Sequence, residues 1–161
     1  MISFVKNDKN KIEIEKKIFN SNMEYNLIAF SKKQLKTKDI LDQYSESKKL
    51  KTERYLVKKD GIYIGILEYG MVSPRTRKPW LSLLIIDKQY HREGLAKEAY
   101  NTFENQMKDR QIDRIQIAVH AVNKKAFVFW TKLGFKTYDQ RMLEGHQFYS
   151  LEKQLNSTEM K

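Results

Sequence analysis

The segment Trp80–Met107 constrains this chain more than any other. An apolar run, WLSLLIID, passes through a polar turn, KQYHREGLA, into KEAYNTFENQM. Trp80–Ile86 is almost continuously apolar, the pattern of a strand buried on both faces. From Leu95 the apolar residues return at every fourth position, as Leu95, Ala99, Phe103 and Met107, and so line one side of a helix. Between them, His91-Arg92-Glu93-Gly94-Leu95-Ala96 sits where a helix N-terminus presents unpaired backbone N–H groups. Those amides, the positive end of the helix dipole and the small residues Gly94 and Ala96 would let an anion such as a diphosphate approach the backbone. The same residues also read as an ordinary strand-to-helix turn with a glycine at positive φ.

The flanking segments supply the rest of a sheet. Asp113–Val122 is a second strand, with Ile115, Ile117, Val119 and Ala121 on one face. Strand, helix and strand make a crossover unit, so the two strands are expected side by side and parallel. Asn123 is placed to cap a helix over Lys124–Leu133 that stops at Gly134. Phe135–Tyr138 and His146–Leu151 then pair across Met142–Gly145. Upstream, Arg54–Val57 and the alternating Ile62, Ile64 and Ile66 flank Lys59-Asp60-Gly61, so 53–72 reads as a hairpin, followed by a basic loop, Ser73–Pro79. The first fifty residues are less legible. Ile12, Ile14 and Ile18 fit a strand or an amphipathic helix, and Asn26–Phe30 a short strand or a turn. Thr37 reads as the cap of a helix reaching Lys49, with Ile40, Leu41 and Tyr44 inward.

With 161 residues, 40% of them hydrophobic, and no repeat or linker, the chain is expected to form one α/β domain with a mixed sheet over 1–155 and a polar tail over 156–161. Lysine and arginine number 31 against 20 acidic residues, a net charge of +11. That balance favours an anionic partner (nucleic acid, an anionic membrane surface or a phosphate-rich small molecule), or simply a solubilising surface. The absence of cysteine excludes disulfides, thiolate metal sites and a cysteine nucleophile. No apolar run approaches the ~18 residues of a membrane span. MISFVKNDKNK has no signal-peptide core, so the expected location is cytoplasmic, with no metal and no membrane partner.

Two motifs together resemble the GNAT family of acyl-CoA-dependent N-acetyltransferases. His91-Arg92-Glu93-Gly94-Leu95-Ala96 is similar to the family's Gln/Arg-x-x-Gly-x-Gly/Ala turn at its fourth and sixth positions. Asn123-Lys124-Lys125-Ala126, running on to Leu133-Gly134-Phe135, is similar to its Asn-x-x-Ala…Gly-Phe segment. The resemblance covers residues 53–152 well. It implies a mixed, mostly antiparallel sheet around a parallel strand–helix–strand core, with acetyl-CoA held where the two parallel strands splay. In that arrangement the backbone of Leu84, Ile85 and Ile86 would pair with the pantetheine. The amides of Arg92, Glu93, Gly94, Leu95 and Ala96, with charge from Arg92 and Lys97, would hold the diphosphate. Asn123, Ala126, Phe129 and Lys132 would flank the other side.

Catalysis by such a protein needs a base for the acceptor ammonium. Glu68 is the first candidate, ahead of Asp87, His91 and His120. Trp130 stands where many members have a tyrosine that protonates the departing thiolate, and an indole N–H can donate a hydrogen bond but is a poor acid. Tyr63, Tyr69, Arg75, Arg77 and Trp80 would shape the acceptor pocket, and the arginines would favour an acceptor bearing a carboxylate or phosphate. The leading expectation is acetyl transfer to a primary amine of a small molecule or peptide, by direct attack in a ternary complex. The family's habit of pairing makes a homodimer conceivable. Two rivals are a CoA-binding sensor of the same fold and a nucleic-acid-binding module. The scattered basic residues and the lack of a nucleic-acid motif speak against the second.

Overall fold

The computed structural model describes residues 1–155, so the expected polar tail at 156–161 lies outside it. Strand β1 (Ile2–Lys6) is followed by three helices, α1 (Ile12–Ser21), α2 (Met23–Phe30) and α3 (Thr37–Leu50). A hairpin of β2 (Glu53–Lys59) and β3 (Ile62–Gly70) leads through the basic loop to β4 (Trp80–Ile86). Then come α4 (Leu95–Asp109), β5 (Arg114–His120), α5 (Lys124–Lys132) and a last hairpin of β6 (Lys136–Leu143) and β7 (His146–Gln154). Among the described residues seven strands form one sheet in the order β1-β2-β3-β4-β5-β7-β6, in which only β4 and β5 run parallel. The crossover unit predicts the parallel pair, and the mixed, mostly antiparallel sheet around it is the one that the family resemblance implies. Among the described residues no helix is long and apolar enough to cross a membrane.

Helices cover both faces of the sheet. α4 and α5 lie on one, where Val57, Leu67, Tyr69, Leu81, Phe103, Met107, Ile117 and Phe135 make the larger core. α1 and α3 lie on the other, burying Ile18, Phe19, Ile40, Leu56, Ile66 and Ile85. Each such side chain, fully buried, contributes about 1.5–3 kcal/mol before the entropy of ordering it is subtracted.

Several expectations need correction. Of the two readings open for Ile12–Ile18 the helix is the one formed, over Ile12–Ser21, whereas Asn26–Phe30, expected as a strand or turn, belongs to the helix Met23–Phe30. The two helices join at Asn22, whose amide donates to the Ile18 carbonyl at 3.0 Å and bridges to β4. In α3 the cap is Lys36, not Thr37, because the Asp39 carboxylate accepts from the Lys36 N–H at 2.7 Å. Ile40 is fully buried but Leu41 is 39% exposed, since adjacent helical positions point about 100° apart. Ile64 and Ile66, expected on one face, lie in opposite cores. A bulge explains this: Val57 faces Gly65 while Lys58 faces Tyr63, leaving Ile64 as the extra residue. β4 is not sealed on both faces either, with Ser82 exposed and Trp80, Leu83 and Leu84 half-buried. The last hairpin is longer than its apolar pattern indicates, and it turns tightly at Glu144-Gly145, both at positive φ.

Candidate active site

The parallel pair comes apart almost as soon as it forms. β4 and β5 share one pairing, Trp80 with Gln116, reinforced by the Gln116 N–H donating to the Pro79 carbonyl at 3.0 Å. Two local causes separate them. β4 carries a bulge at Ser82, because Glu68 faces Leu83 while Tyr69 faces Leu81. β5 is meanwhile held by β7 along its whole length, from Arg114–Gln154 to His120–Phe148. A gap therefore opens between Ser82–Ile86 and the end of β5.

Which backbone groups face that gap follows from antiparallel alternation. The Asp87 N–H donates to the Ile64 carbonyl at 2.8 Å, so Asp87 and Ile85 turn their polar groups toward β3. Leu84 and Ile86 turn theirs toward the gap. Of the three residues expected to present backbone there, Ile85 is thus excluded. The Ile86 carbonyl is already used, accepting from Asn22 Nδ2 at 3.0 Å and lying 2.8 Å from the His91 ring nitrogen. What remains is the N–H and C=O of Leu84 and the N–H of Ile86, a short unpaired edge that an amide-bearing chain fits. His91 is accordingly a brace on the strand end, turned away from any base role.

At the mouth of the gap, Arg92 and Gly94 both adopt positive φ, 70° and 74°. Alternating left-handed residues turn successive amides to one side as an anion-binding concavity. A Cβ on Gly94 would meet nothing within 4 Å, so glycine serves the backbone conformation there and not close packing. The first intrahelical bond runs from Glu98 N–H to the Gly94 carbonyl at 3.0 Å, leaving the Leu95, Ala96 and Lys97 amides without helical acceptors. These residues fit a diphosphate. On the facing wall, Asn123 Oδ1 accepts from the Ala126 N–H at 3.1 Å and fixes the start of α5. Phe129 is half-buried and Lys132 exposed on that helix. Trp130 is packed edge-on against Tyr100, Phe129 and Phe135, with centroids 5.5, 4.8 and 5.3 Å away. That aromatic cluster makes it part of the α4–α5 interface. His120 ends β5 with its ring against Phe148 at 4.3 Å; burial, then His146, hold its imidazole below the ordinary value.

Where the strands diverge, a pocket of about 210 Å³ opens on the α1–α3 side, walled by Tyr25, Phe30, Trp80 and Leu83 and edged by Glu46 and Glu68. Burial pushes the Tyr25 hydroxyl up to about 12, so that wall is neutral. Beneath it lies a buried ionic network. Arg54 reaches Glu15 through Nη2 at 2.9 Å and Nε at 3.2 Å, and Glu68 through Nη1 at 3.0 Å. Its Nη2 also donates to Gln43 Oε1 at 2.7 Å, and the ring faces of Phe19 and Tyr44 flank the guanidinium. Glu15 is 0% exposed, Arg54 and Glu68 7% each. Glu68 Oε2 accepts from the Ser47 hydroxyl at 2.7 Å and from the Thr52 hydroxyl. One lone-pair position of that carboxylate is left for a further donor.

Trp80 and Glu68 meet in this pocket, as their candidacy requires, but the other acceptor candidates do not join them. Tyr69 is on the opposite face of the sheet, stacked on Tyr55, packed on Phe103 at 5.2 Å and accepting from Arg110 at 3.1 Å. Arg75 pairs with Asp139 on β6, and neither it nor Arg77 lines the pocket. Tyr63 packs on the α1–α3 core farther along β3. Sequence reasoning missed Glu15, Gln43, Ser47, Thr52, Arg54 and the α2 aromatics. Glu15 did leave a trace: three and four residues before Ile18 and Phe19, it puts a carboxylate on the apolar stripe of α1.

The sequence matches the model of the acetyltransferase (GNAT) family over residues 16–135. No curated protein matches the chain in sequence. Solved structures of similar fold include an acetyltransferase from Thermus thermophilus, at TM-score 0.78 and 19% identity over 96% of this chain and 97% of that one. Another is spermidine N-acetyltransferase from Vibrio cholerae in complex with CoA and spermine, at TM-score 0.73 and 14% identity over 96% of each chain. A third is an N-acetyltransferase from Staphylococcus aureus, at TM-score 0.68 and 11% identity over 96% of this chain and 99% of that one. Identities this low speak for the fold alone.

Proposed function

Because the chain belongs to the acetyltransferase (GNAT) family, we propose that it is an acetyl-CoA-dependent N-acetyltransferase acting on a primary amine by direct attack in a ternary complex. The observation that carries this reading is the single β4–β5 pairing, which leaves an unpaired backbone edge leading from an anion-binding turn to a walled pocket. Acetyl-CoA, when bound, supplies an activated acetyl thioester. The chain would hold it through the amides from Arg92 to Lys97 and the free groups of Leu84 and Ile86, with Ala126 and Phe129 of α5 on the other side. The net charge of +11 would draw in such a polyanion. The Vibrio cholerae structure, solved with CoA and spermine, supports an amine as the second substrate.

An ammonium must lose a proton before its nitrogen can attack. Glu68 would accept that proton at its remaining lone pair, directly or through one water. Arg54, Ser47 and Thr52 keep the carboxylate in place as orienting partners. Trp130 has no acidic proton to give, so in this reading the thiolate leaves without help from that position.

The first test is thermal stabilisation by acetyl-CoA and by free CoA at low and high salt, followed by thiol release with a panel of amines. A ligand at a thousand times its Kd stabilises by about 4 kcal/mol. A saturable, salt-tolerant shift with amine-dependent thiol release is expected. A shift without turnover would leave a CoA-binding protein, the reading that Trp130 favours. No shift with any CoA species overturns the proposal.

A further inference from the structure

The acceptor pocket opposes the charge of the protein that contains it. The chain carries +11, yet the charged groups in and beneath the pocket are Glu15, Glu46 and Glu68 against Arg54 alone. Arg54 is not available to an incoming anion. Nε and Nη2 are committed to Glu15, Nη1 to Glu68, and Nη2 also serves Gln43. The basic loop does not compensate, because Arg75 is paired with Asp139 and the loop lies outside the pocket wall. Counted over the four groups, the local charge is −2.

The remaining wall is aromatic and aliphatic. Tyr25 and Phe30 meet edge-on at 6.2 Å on one side, and Trp80 and Leu83 form the other. An aromatic ring entering the pocket has three aromatic side chains and Leu83 to pack against, and the ammonium it carries is drawn to the carboxylates. The space is small. At about 210 Å³ it falls below the ~300–1,000 Å³ of cavities that take drug-sized ligands.

We infer that the acceptor is a small primary amine with an aromatic body and no carboxylate or phosphate, and that Glu46 is the residue that selects it. This rests on the acetyltransferase reading and reverses the preference that the loop arginines imply in the sequence. Glu46 is exposed, lines the pocket and makes no ion pair among the described residues, so its charge is free to act on a ligand. Glu68, by contrast, has three donors already. A carboxylate on the acceptor would bring like charge against this cluster, which is how a site rejects a near-identical ligand.

The test compares phenethylamine, phenylalanine and butane-1,4-diamine. Binding is read from the fluorescence of Trp80, isolated in a W130F background, with and without saturating free CoA. Calorimetry on the unaltered protein repeats it should W130F fold poorly. Phenethylamine is expected to bind about tenfold or more tightly than phenylalanine, the factor that corresponds to 1.4 kcal/mol. E46Q should remove most of that preference, E46D should restore part of it, and D42N, the same charge change on α3 away from the pocket, should leave it intact. Phenylalanine binding as tightly as phenethylamine, the diamine binding more tightly than either, or an E46Q effect matched by D42N would each overturn the inference. So would the absence of saturable amine binding in either state. Cofactor binding is read separately by thermal shift, so failure of the acetyltransferase reading and failure of amine selection give different results.

Discussion

On one face of the sheet, α4 and α5 bury Tyr69, Leu81, Tyr100, Phe103, Met107 and Phe135 in contact with one another. On the other, α1 and α3 pack Ile18, Phe19, Ile40 and Ile66 beside an arginine held between two buried carboxylates. The first face is mainly an apolar core. It holds α4 and α5, and with them the two walls of the cleft mouth, at a fixed spacing. The second gives up some apolar contact to keep charged groups oriented at a pocket. A buried ion pair is weak evidence for stability but an effective way to hold a carboxylate in one place. The apolar core and the buried ionic network therefore sit back to back, separated by one layer of β-strand.

The largest expected effects test that division. R54M leaves Glu15 and Glu68 buried without their partner and should cost about 3–5 kcal/mol. F103A opens a cavity on the opposite face and should cost about 3–5 kcal/mol as well. Urea unfolding at neutral pH measures both. The two losses should differ in their response to acid. R54M regains stability relative to the parent as the pH falls and Glu15, which burial already holds above its ordinary value, takes up a proton, whereas F103A follows the parent protein. If both variants track the parent, the charged network is not the feature that distinguishes the faces.

A smaller effect is expected at Asn123. The α5 helix belongs to the apolar face, yet its start depends on one polar bond to the Ala126 N–H. N123A should lower stability by about 1 kcal/mol, the usual worth of an N-cap. It should also weaken CoA stabilisation, because the same turn faces the gap. Unchanged stability would mean that packing alone positions α5.

The smallest effect is a difference in pH dependence between two buried carboxylates. Burial raises Glu104, but the Lys153, Tyr100 and Lys108 contacts outweigh it and hold this α4 carboxyl below its ordinary 4.5. Burial raises Glu15 too, and there it prevails over Arg54, holding the group above 4.5. The signs are opposite. Glu104 contributes stability above 4.5 that is lost as the pH falls through its folded value. Glu15 contributes stability below 4.5 that is lost as the pH rises through its folded value. Melting temperatures from about pH 3 to 7 should show E104Q with a flatter acid limb and E15Q with a flatter slope above it. Parallel curves for the two variants would erase the distinction.

Local chemistry alone determined much of this fold. The strand, turn and helix from Trp80 to Asp109, the capped α5 ending before Gly134 and the Asp60-Gly61 hairpin were legible because hydrophobic period, caps and turn residues act within a few positions. The turn before α4 was legible for the same reason, since Gly94, at positive φ, stands just ahead of the helical stripe that starts at Leu95. Even the separation of Tyr69 from Glu68 was available, because adjacent strand residues point to opposite faces.

The rest belongs to tertiary structure. Nothing near Glu68 in the chain announces that Arg54, Ser47 and Thr52 will surround it, and nothing near Arg75 announces Asp139. The β3 bulge that parts Ile64 from Ile66 depends on register with β2, and the gap between β4 and β5 depends on β7 holding β5 away. Charge at a site is likewise decided by which groups fold together and by how much water they lose. That is how a chain with eleven surplus positive charges encloses an acidic pocket. Helices and turns follow from neighbours in sequence, whereas ion pairing, desolvation and strand divergence follow from neighbours in space.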